Sequence, residues 1–156
     1  MKRSSVQEIG ATLAHRLAIE ELNAFVAACL DEQRYDDLAQ AFTEDARYTS
    51  GARFLSGPGE IKRFFVERKA AGGPRITRHA GTGLRLEFNH DHTEARGSSV
   101  WVSYASNTAD LPVDHVAVFM VADFEDVYVL QGDGYWRIRE RVIRPVFRNA
   151  AAAPRA

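Results

Sequence analysis

The chain lacks the features that mark several large classes of protein. Its 156 residues include one cysteine, which excludes an internal disulfide framework and a cysteine-rich zinc module. The longest apolar run, Ala24 to Leu30, is far shorter than the ~18–20 residues that a membrane-spanning helix needs. The basic N-terminus is not followed by the apolar stretch of a secretory signal. We therefore expect a cytoplasmic protein with no membrane partner.

An excess of positive charge is also missing. Lys and Arg number 20 and Asp and Glu number 21, so the formal net charge is −1 at pH 7. No surplus of cations is present to neutralise phosphates, and nucleic acid is not an expected partner. No glycine-rich phosphate loop occurs either, because GTG at 81–83 precedes a strand pattern and GDG at 132–134 is typical of a hairpin turn.

The residues that are present predict one α+β domain. The length suits a single core, which we place over residues 1–148, with a disordered C-terminal tail over 149–156. Helical periodicity comes first and period-two alternation follows from residue 75 onward. This order favours helices packed on the concave face of a curved, mostly antiparallel sheet. The predicted helices are 6–30, 35–42 and 57–70, and the predicted strands are 46–50, 84–88, 95–105, 116–129 and 136–147.

Among the five histidines, His79 is the first candidate for acid–base chemistry. It lies near the start of a strand, beside the small residues Ala80 and Gly81. By strict alternation its side chain faces away from the apolar positions 84, 86 and 88. It points into the core only if Gly81 or Gly83 shifts the register. A histidine without a function at the rim of the sheet is the alternative.

Asp31 is the second candidate because it directly follows the apolar run AFVAACL. Its carboxylate is expected at the end of a buried helix, where burial raises a carboxyl pKa unless a donor or cation compensates. An ordinary polar residue at the end of a helix is the alternative. Together, Asp31 and His79 suggest a dyad in which a neutral imidazole is the general base and the carboxylate fixes its tautomer.

Other polar residues give weaker signals. His90 and His92 flank Asp91, a set that could hold a metal, although a solvated turn fits better and we predict no metal site. His115 begins a strand and its role is open. Arg137, Arg139 and Arg141 alternate with other residues, which predicts one solvated strand face paired with carboxylates at 125 and 126.

Three stretches carry a family resemblance: AIEELNAFVAACLDEQRYDDLAQAFTEDARYTSG, RHAGTGLRLE and FEDVYVLQGDGYWRIRERVIRP. They resemble the SnoaL-like branch of the nuclear transport factor two-like superfamily, most of all scytalone dehydratase and hexachlorocyclohexane dehydrochlorinase. The resemblance implies a cone-shaped α+β barrel with an apolar pocket, commonly in dimers or trimers. It also implies catalytic roles for Asp31 and His79, and a place for Tyr48 in the pocket wall.

Departures from both enzymes leave the substrate open. The second histidine of the dehydratase falls near Ala105, and its two tyrosines fall on Leu30 and near Ser50. The basic pocket residues of the dehydrochlorinase fall on Val26 and on 129–131, where this chain has no cation.

The predicted function is a lyase or isomerase that needs no cofactor. His79 would abstract a proton, Asp31 would orient it, and Tyr48, Val102 and Tyr104 would wall a pocket for a small apolar or aromatic ligand. One alternative is a non-catalytic partner similar to the small subunit of aromatic-ring-hydroxylating dioxygenases, and another is a small-ligand carrier. Apolar residues on the outer sheet face predict a homodimer or homotrimer.

Overall fold

The computed structural model describes residues 4–155. The helices are α1 (Val6–Asp31), α2 (Tyr35–Ala39) and α3 (Gly57–Gly72), and a 3-10 helix spans Ala150–Ala152. The strands are β1 (Phe42–Ser50), β2 (Arg53–Ser56), β3 (Ile76–Phe88), β4 (Glu94–Ser106), β5 (Ala117–Leu130) and β6 (Trp136–Arg148). No helix within these residues is long and apolar enough to cross a membrane.

One mixed sheet of six strands, ordered β2-β1-β6-β5-β4-β3, forms the body of the fold. β1 runs parallel to β6, and all the other neighbours are antiparallel. The sheet curves without closing and gives the cone-like shape expected from the sequence. The prediction of an α+β fold with N-terminal helices against a mostly antiparallel sheet is confirmed.

Helix α1 begins with a capping box. The Ser5 hydroxyl accepts a hydrogen bond from the Glu8 backbone N–H at 3.2 Å, and the Glu8 carboxylate accepts one from the Ser5 N–H at 2.6 Å. Farther along, Ile19, Val26 and Cys29 are buried against the sheet. This apolar stripe holds the helix across the cone and fixes where its last residue, Asp31, lies.

The first strand starts earlier than the sequence indicated. Helix α2 ends at Ala39 rather than at residue 42, and β1 begins at Phe42 rather than at residue 46. The reason is tertiary, because the Ala41 carbonyl accepts a hydrogen bond from the Ile138 N–H of β6 at 2.8 Å. Pairing with a distant strand therefore overrides the local helical pattern.

A register shift in β3 turns His79 inward. Thr82 pairs with Val100 on β4, but Arg85 pairs with Ser98, so β3 contains one extra residue between these two pairs. Gly83 lies at this bulge with a φ of +66°, a conformation that favours glycine. Because of this shift, the His79 side chain lies on the same face of β3 as the apolar positions 84, 86 and 88. This shift is the condition under which the sequence predicts an inward-facing histidine.

The end of the chain differs from the predicted disordered tail. Asn149 caps the 3-10 helix by accepting a hydrogen bond from the Ala151 N–H, and Ala152 is buried. The Ala152 carbonyl accepts a hydrogen bond from Arg75, and the Ala153 carbonyl accepts one from Asn107. Short alanines leave the tail backbone accessible to these donors, so it packs through main-chain contacts up to Arg155. Residue 156 lies outside the described part.

The outer face of the sheet carries an apolar row across four strands. Ala80 pairs with Val102, Val102 with Val121, and Val121 with Phe147, which is 67% exposed. Such a surface suits association, and the homodimer or homotrimer stays a prediction.

We expect Gly83→Ala to destabilise the protein by about 1–2 kcal/mol, because a Cβ is strained at positive φ even where space is free. Gly10→Ala, at an open position in α1, should instead stabilise the protein by about 0.5–1 kcal/mol. Urea unfolding of both variants measures the difference. Equal stability of Gly83→Ala and the wild type would contradict the role of the bulge.

Candidate active site

Asp31 and His79, 48 residues apart in sequence, meet where α1 ends over β3. The His79 Nδ1 lies 2.6 Å from the Asp31 Oδ1, and the His79 backbone N–H donates to the Asp31 Oδ2 at 3.0 Å. The His79 side chain is 21% exposed and the Asp31 side chain is 11% exposed. The carboxylate therefore holds both the ring and the backbone of the histidine.

Thr77 supplies a further donor to the carboxylate. Its hydroxyl donates to the Asp31 Oδ1 at 2.8 Å. Burial raises the pKa of Asp31, but the hydrogen bonds from His79 and Thr77 and the charge of His79 outweigh it and hold the pKa below its ordinary value. Asp31 is thus ionised at neutral pH. The neutral ring consequently keeps its proton on Nδ1, facing the carboxylate, and leaves the Nε2 lone pair free.

Three cavities reach His79, and two of them are large. The main cavity, of about 750 Å³, lies between the helices and the concave sheet face. A side groove of about 670 Å³ lies between α1 and β3. Trp101 lines both, and its indole lies so close to Gly81 that a Cβ there would be 2.6 Å from the ring. Gly81 therefore makes room for the aromatic wall beside His79.

The main cavity has mainly apolar and aromatic walls. Tyr48 lies in this wall, 9% exposed, with its ring edge-on to Phe42 and Phe65. Burial raises the pKa of the Tyr48 phenol, so the hydroxyl is protonated at neutral pH. The hydroxyl forms no hydrogen bond with another described residue.

Two predicted wall residues do not line these cavities. Trp101 and Ser103 face the main cavity from β4, and alternation turns Val102 and Tyr104 to the outer sheet face. There Val102 belongs to the apolar row, and Tyr104 pairs with Val118. The assignment of Val102 and Tyr104 to the pocket is therefore corrected to Trp101 and Ser103.

A buried polar network, which the sequence pattern does not predict, borders the main cavity. Arg141 donates to both oxygens of Asp126, at 2.8 and 2.9 Å, and to the Asn23 side-chain oxygen at 2.7 Å. Tyr128 completes the network with a hydrogen bond to Asp126 at 2.7 Å. Arg141 is 2% exposed and lines the cavity, and its Nη1 takes no part in these bonds.

The predicted solvated arginine face is therefore wrong at Arg141. Tyr128 pairs with Ile138 and Val127 with Glu140, so β6 has an extra residue that reverses its alternation. The sequence contains a trace of this shift. The buried isoleucines at 138 and 143 are separated by an odd number of positions, which regular alternation does not allow.

The remaining histidines lie outside the two cavities. His15 and His92 pack in a ring cluster with Phe88, and Trp136 donates to the His15 Nδ1 at 3.3 Å. His90 and His115 are exposed. Within residues 4–155, no three His, Cys, Asp or Glu side chains converge as metal ligands.

The carboxylate of Asp31 links stability to pH. Because its pKa is lowered in the fold, its contribution is complete above its ordinary value of 3.8 and is lost as the pH falls below it. We expect Asp31→Asn to flatten the fall in the urea midpoint below pH 4. Asp110→Asn, in an exposed loop, is the control and should keep the wild-type profile. Identical profiles for Asp31→Asn and the wild type would contradict this account.

Neighbouring carboxylates on β5 should differ sharply in their contribution to stability. Asp126→Ala leaves Arg141 buried without its counter-ion and should cost about 3–5 kcal/mol. Glu125→Ala removes a partner of Arg144 in a pair exposed by more than half, and should have little measurable effect. Denaturant unfolding of the two variants checks this, and a similar loss in both would contradict the structural role of the network.

Comparison with known proteins supports the fold. The family model described as the SnoaL-like domain matches residues 11–142. No curated protein sequence matches the chain significantly. Similar solved structures include a candidate scytalone dehydratase from Novosphingobium aromaticivorans, with 22% identity and a TM-score of 0.74 over 92% of this chain and 94% of that one.

Two other structures show the range of proteins with this fold. A Catenulispora acidiphila protein in complex with S-DNPA is 22% identical, with a TM-score of 0.72 over 85% of this chain and 94% of that one. The beta subunit of a candidate aromatic-ring-hydroxylating dioxygenase from N. aromaticivorans is 16% identical, with a TM-score of 0.74 over 92% and 99%. At these identities the likeness establishes the fold alone.

The family match spans most of the chain, and the structure has the cone-like architecture and internal cavity described above. The chain therefore belongs to the SnoaL-like family.

Proposed function

We propose that this protein is a lyase or isomerase that needs no cofactor and uses His79 to abstract a proton from carbon. The observation that carries the proposal is the 2.6 Å contact between Asp31 and the Nδ1 of a histidine that lines the main cavity. This contact leaves Nε2 as the ring nitrogen available to a bound molecule. A base oriented by a buried carboxylate suits proton transfer in a largely apolar site.

In the proposed step, the Nε2 lone pair takes a proton from a carbon next to an electron-withdrawing group. The C–H electron pair becomes the π bond of a carbon–carbon double bond. At the same time, either the π pair of a neighbouring carbonyl moves onto its oxygen, or the bond to a leaving group such as hydroxide or halide breaks and its electron pair departs with that group. Asp31 stabilises the imidazolium that forms, because its carboxylate faces the Nδ1–H. Return of the proton to another carbon completes an isomerisation. In an elimination, the imidazolium gives its proton to a departing hydroxide, or to water where a halide leaves as its anion.

Donors in the cavity can stabilise the negative charge that develops. The Arg141 Nη1 is not used by the buried network, and the protonated Tyr48 hydroxyl is also free of intramolecular bonds to described residues. Both residues line the same cavity as His79. Fixed donors in a site of low dielectric stabilise an oxyanion more than water does. We assign them this role.

Proton exchange tests the proposal without knowledge of the natural substrate. Aromatic cyclic ketones such as 2-tetralone carry acidic C–H groups, and their exchange in D2O can be followed by proton NMR. We expect the wild type to accelerate exchange and His79→Ala to lose about 10²–10⁴-fold of that acceleration. Asp31→Asn should lose most of it as well.

His115→Ala is the matched control, because His115 is an exposed histidine away from the cavities. Full activity in His79→Ala would overturn the proposal. A wild type that binds the ketones without exchanging or eliminating would favour a ligand carrier. Stoichiometric recovery with a large iron-containing subunit would favour the dioxygenase-partner alternative, which the fold likeness supports.

A further inference from the structure

Positive charge is concentrated around the main cavity although the whole chain is nearly neutral. Among the described residues, six arginines line it, at positions 53, 68, 75, 141, 148 and 155, and Glu67 is the one carboxylate. Arg141 is neutralised by Asp126, and Arg75 donates to neutral oxygens of Asn107 and Ala152. The imbalance is therefore a property of the cavity and cannot be read from the composition.

Arg53 and Arg68 form a pair on one phenylalanine. The Arg53 guanidinium lies 4.1 Å from the centre of the Phe64 ring, and that of Arg68 lies 5.3 Å from it and 4.7 Å from the Phe65 ring. Arg53 is exposed and Arg68 is half-buried, so the pair lies where the cavity reaches solvent. Two cations are thus held near each other by stacking.

The N–H groups of both guanidinium groups are without a partner among the described residues. Among residues 4–155, the side chains of Arg53 and Arg68 form no hydrogen bond and no ion pair. Stacking occupies the faces of a guanidinium and leaves the donors at its edge free, in a fork that matches a carboxylate. Burial lowers the pKa of Arg68, and the charge of Arg53 acts in the same direction. An anion between them would relieve this repulsion.

We infer that the cavity binds organic acids, with the carboxylate held by Arg53 and Arg68 and the apolar body directed inward toward His79. This inference names the substrate class of the site and rests on the proposed function for the reaction, although binding can be measured by itself. It adds a carboxylate to the small apolar or aromatic ligand that the sequence predicts. The volume of about 750 Å³ and the aromatic walls suit a body of one or two rings.

The test compares 2-naphthoate with the nearly isosteric neutral 2-naphthamide by isothermal titration calorimetry at pH 7. We expect the wild type to bind the acid at least ~10-fold more tightly, because charge-assisted hydrogen bonds to a carboxylate are stronger than those to an amide. Arg53→Gln and Arg68→Gln should each remove most of that preference. Added salt should reduce it in the wild type.

Arg63→Gln is the matched control. Arg63 lies on α3, as Arg68 does, but it pairs with Glu60 and is not in the cavity wall. It should keep the preference. Equal binding of acid and amide, binding of neither, or a preference that survives both cavity variants would overturn the inference. His79→Ala should keep the preference for the acid. Failure of the acid to bind therefore remains distinguishable from failure of proton transfer, which the ketone exchange reports.

Discussion

The Asp31–His79 hydrogen bond is the contact on which the site depends, and several parts of the fold are needed to form it. Helix α1 must end beside β3 so that Asp31 can reach His79, and the buried residues along the helix determine where it ends. Strand β3 must turn its histidine inward, which the bulge at Gly83 accomplishes. Thr77, two residues earlier on the same face, adds a donor to the carboxylate. Backbone geometry at a distance from the imidazole thus fixes the orientation of the ring against the carboxylate.

A second constraint comes from burying charge inside the cone. Arg141 and Asp126 are both removed from water, and the desolvation is offset by a bidentate contact supported by Asn23 and Tyr128. The free Nη1 then provides a positioned donor. At the opening, Arg53 and Arg68 stack on phenylalanine rings and form no ion pair with a residue in the part of the chain that the structure describes. The cavity therefore combines apolar walls with donors of two kinds, one internally paired and one open.

Much of this could be predicted from the sequence, because periodicity and local signals are strong where one face is buried. The residues alone indicated the order of helices and strands and the position of Asp31 at a helix end. They also indicated that His79 can face the core only if a glycine bulge shifts the register of its strand. The dyad itself was suggested by residue type and family resemblance. The distance between the two side chains was not, since it depends on how α1 crosses the sheet.

The misplaced residues share a cause. Val102 and Tyr104 fall on the outer face because a strand alternates, and Trp101 and Ser103 take the inner positions. Arg141 turns inward because β6 has one more residue than β5 at the bulge. No single residue of the sequence indicates this shift. The ordered tail depends on donors from Arg75 and Asn107, which are distant in sequence. The face that β4 turns inward, the register between β5 and β6, and long-range hydrogen bonds, rather than residue propensity, decide these three cases.

The tautomer of His79 tests the central claim most directly. Nitrogen-15 NMR of the imidazole rings, at a pH where the ring is neutral, reports which nitrogen carries the proton. We expect a proton on Nδ1, hydrogen-bonded to the Asp31 carboxylate, and an unprotonated Nε2. A proton on Nε2, or an identical pattern in Asp31→Asn, would contradict it.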